Sequence, residues 1–283
     1  MNARQLLRSA AEELRQAGVP DPEYDSGMLL SEVTGRPHLE LRAGMGSEPT
    51  EEQAARYAQL IARRKAREPL QYLLGSVIFR SREILTGPGA LIPRPETAEL
   101  AEWAGAWIRQ KAGAAPKGFR ILDLCCGTGC IGISLQTDFP ETEVTLTDLS
   151  GEALAIARAN LEKYGLACRT AQGDLFAPIE GEKFHLIVSN PPYIPTAECG
   201  TLQAEVLREP RMALDGGADG LDFYRRIARE APAYLEKGGA VMMEFGIGEE
   251  EAIRRLMTEG GAVRTKIRRD AAGICRMILA EYD

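Results

Sequence analysis

Apolar residues recur along this chain with two different periods. Up to about residue 67 the period is helical. Leu6, Leu7, Ala10, Ala11, Leu14 and Ala17 share one face before Gly18 and Pro20 stop them, and Met28, Leu29, Leu30 and Val33 form a second cluster. Thr50, with Gln53 three residues on, reads as a capping box opening a helix that can reach Arg67 before Pro69. A small helical bundle over residues 1–70 is expected. From Gln71 to Ile92 the pattern breaks into short β-like pieces, Ser76 to Arg80 and Glu83 to Leu85, followed by Gly87-Pro88-Gly89. A β-hairpin linker over 71–93 fits that stretch.

After Ile92-Pro93-Arg94-Pro95-Glu96-Thr97 comes a helix carrying Leu100, Trp103, Ala104, Trp107 and Ile108 on one side, with both tryptophans read as core. A loop spans 113–118. Beyond Phe119, strands and helices alternate as in a doubly wound parallel sheet. The strands are expected at 120–124, 144–147, 168–172, 184–189, 240–245, 263–269 and 274–280. Helices are expected after residue 130, at 153–164, at 221–235 and at 249–257, with Lys237-Gly238-Gly239 turning into the fifth strand. The last two strands have no helix between them, so the final one should run antiparallel. The fold class is α/β, with a Rossmann-like seven-stranded sheet over 94–283.

Composition narrows the function. The 283 residues carry a formal charge of −7, which argues against general affinity for a nucleic-acid backbone. Two basic runs, Arg63, Arg64, Lys65, Arg67 and Arg264, Lys266, Arg268, Arg269, read as solvated faces. No run of about 18 apolar residues occurs, and Glu12 and Glu13 lie where a signal-peptide core would be apolar, so a cytoplasmic protein without membrane association is expected. Cys125, Cys126, Cys130, Cys168, Cys199 and Cys275 lack paired metal-ligand spacing; no metal is expected and the thiols should be reduced. Of the two histidines, His185 sits inside an apolar strand, as a hydrogen-bonded structural group would.

Chemistry concentrates at the ends of strands. Phe184 to Ser189 runs into Asn190-Pro191-Pro192-Tyr193, where two prolines end the strand and stiffen the loop. Asn190 offers a side-chain oxygen, Pro191 and Pro192 offer carbonyls, and Tyr193 adds a flat face. That set suits a planar NH2 group, although a plain proline turn is the simpler reading. The tetrapeptide resembles the substrate-amine motif of methyltransferases acting on exocyclic or amide nitrogens.

Asp123-Leu124-Cys125-Cys126-Gly127-Thr128-Gly129 lies at a strand-to-helix turn, where open α/β sheets bind ligands. Gly127, Gly129 and Gly132 fit the dinucleotide pattern literally, a weak signal, but hydride transfer gives Asp123 and the Asn-Pro-Pro-Tyr loop no role. S-adenosyl-L-methionine gives both a role. The turn would pass beneath its methionyl part and ribose, Asp148 would accept from ribose hydroxyls, and Asp174 and Leu175 would border the adenine. Asp148 as a helix cap and Asp174 as a turn residue are the structural alternatives.

Taken together, these residues resemble the PrmC/HemK family of bacterial peptide chain release factor glutamine N5-methyltransferases. The resemblance runs from about Glu68 to Arg276 and is carried by 68–75, Ile92 to Thr97, the Asp123 to Gly129 turn, Asn190 to Tyr193, and Glu205 to Pro210. It implies a class I S-adenosylmethionine-dependent methyltransferase fold with a small N-terminal helical domain for substrate recognition. The implied substrate is the glutamine of the Gly-Gly-Gln motif of class 1 release factors, with Arg94, Glu96 and Thr97 lining the mouth and a monomer expected. Cys125 stands where the family usually has glycine, Ala98 where an acid is frequent, and Leu207-Arg208 alters the usual acidic motif. The alternatives are a nucleic-acid N6-adenine or N2-guanine methyltransferase, a ribosomal-protein glutamine methyltransferase, or a binding protein that has lost its cofactor.

Overall fold

The computed structural model describes residues 2–45, 48–113 and 117–283, so part of the loop expected at 113–118 lies outside the described residues. The chain divides into two compact units, Met1–Ser76 with Gln203–Arg208, and Val77–Leu202 with Glu209–Asp283.

The first unit is helical: α1 (Ala3–Gln16), α2 (Pro22–Thr34), α3 (His38–Ala43), α4 (Glu51–Lys65) and α5 (Leu70–Leu74). The capping box opening α4 is formed, Thr50 Oγ1 accepting from the Gln53 N–H at 3.2 Å and Gln53 Oε1 from the Thr50 N–H at 2.9 Å. The short α5 occupies the start of the stretch expected to be extended, because Pro69 presets its entry and Gly75, at φ +76°, ends it in the left-handed region. Leu14, Leu29, Leu30 and Leu41 are fully buried in the bundle core.

Arg63 and Lys65 of the first basic run are exposed, as a solvated face requires, but Arg64 is buried. Arg63 pairs with Glu68, Lys65 with Glu13, and Arg67 with Glu205, while the buried Arg64 joins Asp25 at 2.7 Å and Glu205 at 2.8 Å. Burial raises the Glu205 carboxyl, but bonds from Arg67 and Arg64 override that and hold it down at about 2.

The second unit begins with a hairpin, β1 (Ser76–Phe79) and β2 (Arg82–Leu85), whose two turn residues Arg80 and Ser81 both have positive φ. Seven further strands form the main sheet: β3 (Arg120–Leu124), β4 (Glu143–Asp148), β5 (Arg169–Gln172), β6 (Phe184–Ser189), β7 (Leu235–Glu244), β8 (Arg264–Arg269) and β9 (Cys275–Glu281). Their order is β5-β4-β3-β6-β7-β9-β8. The first five are mutually parallel, and β9 runs antiparallel to both β7 and β8.

Helices α6 (Pro95–Ala112), α7 (Cys130–Asp138), α8 (Gly151–Tyr164), α9 (Asp222–Glu230) and α10 (Glu250–Glu259) complete the unit. Alternate residues of β3 feed two separate cores, Ile121 one and Leu122 and Leu124 the other, as a sheet covered on both faces requires. Trp103 and Trp107 are buried in the first. His185 stacks on Phe119 and accepts the Arg120 N–H on Nδ1 at 3.0 Å.

Two boundaries differ from the sequence reading by more than two residues. Helix α9 stops at Glu230: Ala231 is still in helical geometry, but Pro232 has no N–H to donate to the carbonyl four residues back, and a 3₁₀ turn follows. Strand β7 starts at Leu235 rather than Ala240 and passes through Gly238, at φ +72°, with a register shift against β6.

The order places the topological switch between β3 and β6, where successive strands are laid down on opposite sides. Leu124 and Ser189 are register partners there. The glycine turn and the Asn-Pro-Pro-Tyr loop therefore leave the sheet side by side, at the crevice where open α/β sheets bind ligands.

Candidate active site

The turn after β3 is held by main-chain bonds. The Cys126 N–H donates to Thr147 O at 3.0 Å and the Gly129 N–H to Cys126 O at 2.8 Å. Cys125 adopts φ +56°, a left-handed conformation that favours glycine, so the turn accepts cysteine only with local strain. Gly129 is required: a Cβ there would lie 2.7 Å from Leu146 Cδ2. The fully buried Asn160 of α8 donates to Thr128 O and Leu85 O, both at 3.0 Å, and accepts the Leu85 N–H, tying the turn to the hairpin.

Two acids sit on this turn. Asp148, at the end of β4, accepts the Gly127 N–H on Oδ2 and the Ser150 N–H on Oδ1, each at 2.8 Å. Burial raises its pKa, and those N–H groups oppose the rise. Asp123 is wholly buried. Its Oδ2 accepts the Gly132 N–H at 2.8 Å, while among the described residues no donor reaches Oδ1. Burial, opposed by that bond, pushes its pKa up to about 8.

Asn190 leaves β6 with its amide already oriented. Its Nδ2 donates to Thr97 Oγ1 at 3.0 Å, and the Thr97 hydroxyl donates to Glu244 Oε2 at 2.6 Å. Asn190 Oδ1 is shielded from solvent and has no donor among the described residues. The Tyr193 hydroxyl donates to the other Glu244 oxygen at 3.4 Å. Glu244 is buried at the end of β7; desolvation lifts its pKa to about 7 against the Thr97 bond.

The loop itself is clamped from outside. A Cβ on Gly216 would come within 2.8 Å of Pro192 O and Tyr193 Cα, and main-chain bonds join Ile194 to Leu214 and Gly216. Arg94 pairs with the buried Glu209, whose Oε2 also accepts the Ile92 N–H at 2.8 Å.

One cleft brings together Thr97, Cys125, Cys126, Gly127, Thr128, Asp148, Asn190 and Pro192. Leu91, Pro93, Leu149, Met212 and Phe223 supply apolar walls. Asp123 and Gly129 lie outside its lining, as do Pro191, Tyr193, Arg94 and Glu96. Asp174 is exposed and gives both carboxylate oxygens to Arg226 at 2.9 Å, and Leu175 is buried in the second core at φ +48°; neither lines the cleft. Sequence reasoning missed Glu244, Asn160 and Glu209. An acid ending the apolar run Ala240-Val241-Met242-Met243 was a usable signal for the first, and Glu209 lies within the Glu205 to Pro210 segment that carried the resemblance without being given a role; Asn160 carries none.

The donor set fits a cationic, ribose-bearing cofactor. Asp148, which lines the cleft, keeps acceptor capacity beside its N–H bonds, and Asn190 Oδ1 is an unanswered acceptor on the same cleft. Among the described residues no group of three or more His, Cys, Asp or Glu could hold a metal ion, and no helix is long and apolar enough to cross a membrane.

Comparison with known proteins gives two family matches, "PrmC N-terminal domain" over residues 5–75 and "Methyltransferase small domain" over 111–218. The release factor glutamine methyltransferase of Geobacter sulfurreducens is 39% identical, covering 94% of this chain and 91% of its own length. Its counterpart in Deinococcus radiodurans is 42% identical over 87% of this chain and 86% of its own. Among solved structures, a methyltransferase from Pyrococcus furiosus matches with a TM-score of 0.51 at 19% identity, covering 71% of this chain and 88% of that one. The T. thermophilus 16S rRNA N2 methyltransferase RsmC, in complex with AdoMet and guanosine, matches with a TM-score of 0.52 at 20% identity, covering 74% and 50%. These two likenesses concern the fold.

Proposed function

The chain belongs to the release factor glutamine methyltransferase family, and we propose that it methylates the side-chain amide nitrogen of the Gly-Gly-Gln glutamine in class 1 release factors. S-adenosylmethionine, when bound, supplies an electrophilic methyl group on a sulfonium. The observation that carries the reading is Asn190 Oδ1, a shielded acceptor without a donor on a side chain that lines the cleft.

An amide nitrogen is a poor nucleophile because its lone pair is delocalised into the carbonyl. In the proposed reaction Asn190 Oδ1 and the Pro191 carbonyl accept its two N–H bonds and hold the nitrogen in line with the methyl carbon. Their partial negative charge stabilises the positive charge that grows on nitrogen as the N–C bond forms and the S–C bond breaks. The methylated nitrogen then gives up a proton to solvent, which restores the neutral amide. Tyr193, held through its hydroxyl by Glu244, packs over the amide plane. Asp148 accepts from the ribose and Leu149 lies against the base; Cys125 to Gly129 pass beneath the methionyl part. Asp174 and Leu175 remain the proposed adenine border, reached through the segment after β5.

The helical unit is proposed to recognise the release factor. Pairing of the first basic run with acids of the same unit leaves it little uncompensated charge for a phosphate backbone. A cytoplasmic location and a monomeric state complete the proposal.

The test is incorporation of labelled methyl from S-adenosylmethionine into purified release factor, with the Gly-Gly-Gln glutamine replaced in the control. Label in the wild type alone supports the assignment. Label in both, or in RNA instead, overturns it.

A further inference from the structure

Glu244 does not line the cleft, yet the orientation of Asn190 depends on it. The Thr97 hydroxyl has one proton, and when Glu244 is ionised that proton is committed to Oε2 at 2.6 Å. Toward Asn190, Thr97 can then only accept, and it does so from Nδ2 at 3.0 Å. Turning the amide over would set Oδ1 against Thr97 Oγ1 with no proton between them. The oxygen is thus left as the free acceptor by a chain of bonds that starts in the sheet, before any ligand is present.

We propose that Glu244 and Thr97 are positioning residues that fix the Asn190 amide with its oxygen free, and so select an N–H-bearing side chain over a carboxylate. A glutamine NH2 meets an acceptor there; a glutamate oxygen meets a like partial charge. The selectivity half of this inference rests on the methyl-transfer reading above, while the bond chain does not. Thr97 sits in the first turn of α6 and Glu244 at the end of β7, so the relay ties the reactive loop to two rigid elements. Glu96, Arg276, Tyr193, Cys130 and Tyr224 are among the charged or titratable groups that interact with Glu244, and Tyr193 is held by its second oxygen. The same carboxylate therefore sets both the amide and the ring.

The experiment uses the full chain labelled with nitrogen-15, the Asn190 side-chain resonance being identified by its loss in Asn190→Ala. In the wild type one proton of this NH2 exchanges slowly; in Thr97→Val the protection disappears, and in Thr97→Ser, which keeps the hydroxyl, it returns. If Thr97→Val does not fold, Thr97→Ala carries the same comparison. In parallel, competition between Gly-Gly-Gln and Gly-Gly-Glu peptides shows a preference for glutamine that narrows in the valine variant, and kcat for release factor falls by about 10- to 100-fold. Unchanged protection in Thr97→Val overturns the relay. Lost protection with unchanged peptide preference and kcat overturns its role in selectivity. Should the wild type methylate no release factor, the substrate assignment and the selectivity half fail together, while the exchange data still judge the bond chain.

Discussion

The backbone N–H of Gly127 donates to Oδ2 of Asp148 over 2.8 Å, so the acid assigned to the ribose also holds the turn beneath the cofactor. With Oδ1 also accepting from Ser150, the carboxylate still has acceptor capacity left for a hydroxyl. Asp148→Asn must place an NH2 against one of two N–H donors, which costs a turn bond as well as a ribose acceptor. We expect S-adenosylmethionine affinity, measured by calorimetry, to fall by about 10- to 100-fold, as losing one to two hydrogen bonds to a charged group implies. Wild-type affinity in this variant would place the ribose elsewhere.

Asp123 makes stability depend on pH. Its native pKa of about 8 lies above its ordinary 3.8, so between those values the folded protein holds a proton that the unfolded chain has released. The contribution is complete below about pH 4 and is lost as pH rises toward 8, with a slope of up to about 1.4 kcal/mol per pH unit. The Tm of the cofactor-free protein should fall across that window, and the fall should flatten in Asp123→Asn. Parallel Tm curves for the two proteins would mean that Asp123 is ionised in the native state.

Cys125 offers a test of backbone strain. At φ +56° glycine relieves the clash between Cβ and the backbone, whereas a β-branched side chain worsens it. Because Cys125 also packs against the second core, Cys125→Gly should change stability by less than about 1 kcal/mol and leave cofactor binding intact. Cys125→Val should lose about 1–3 kcal/mol in urea unfolding. Equal stability of the two variants would show that the turn relaxes around the residue.

The sheet was legible because its strands are short apolar runs ending in chemistry-bearing residues, and Asp148 and Asn190 both stand at such ends. The Asn190 oxygen was readable as an acceptor from residue type alone. What supports it was not, since Thr97 and Glu244 are 147 positions apart and meet only because α6 packs beside β7. Arg64 was misread for a related reason: within a basic run its burial depends on Asp25 and Glu205, which are distant in sequence. The start of β7 was hidden by Gly238-Gly239, which signal a turn in sequence but form an irregularity inside the strand.

That buried pair yields a fourth expectation. Arg64→Met would leave Asp25 enclosed without its counter-charge, and burial already raises the Asp25 pKa against the Arg64 bond. Loss of one partner of such a pair costs about 3–5 kcal/mol. The helical unit should therefore melt earlier than the methyltransferase unit in a thermal scan. If the scan shows no early transition, Asp25 has taken up a proton and the bundle has repacked around it.

Asn190 separates chemistry from binding. In Asn190→Ala the acceptor is gone, but the turn, Asp148 and the apolar walls of the cleft remain, and Thr97 keeps its bond to Glu244. Removing one donor or acceptor aimed at developing charge costs about 10²- to 10³-fold in turnover. We expect a kcat loss of that order with S-adenosylmethionine affinity within about threefold of wild type, since a threefold change corresponds to well under 1 kcal/mol. Single-turnover methyl transfer and calorimetry on the same preparation read the two quantities separately. A loss of both in proportion would mean that Asn190 holds the loop in place and that the acceptor for the amide lies on another residue.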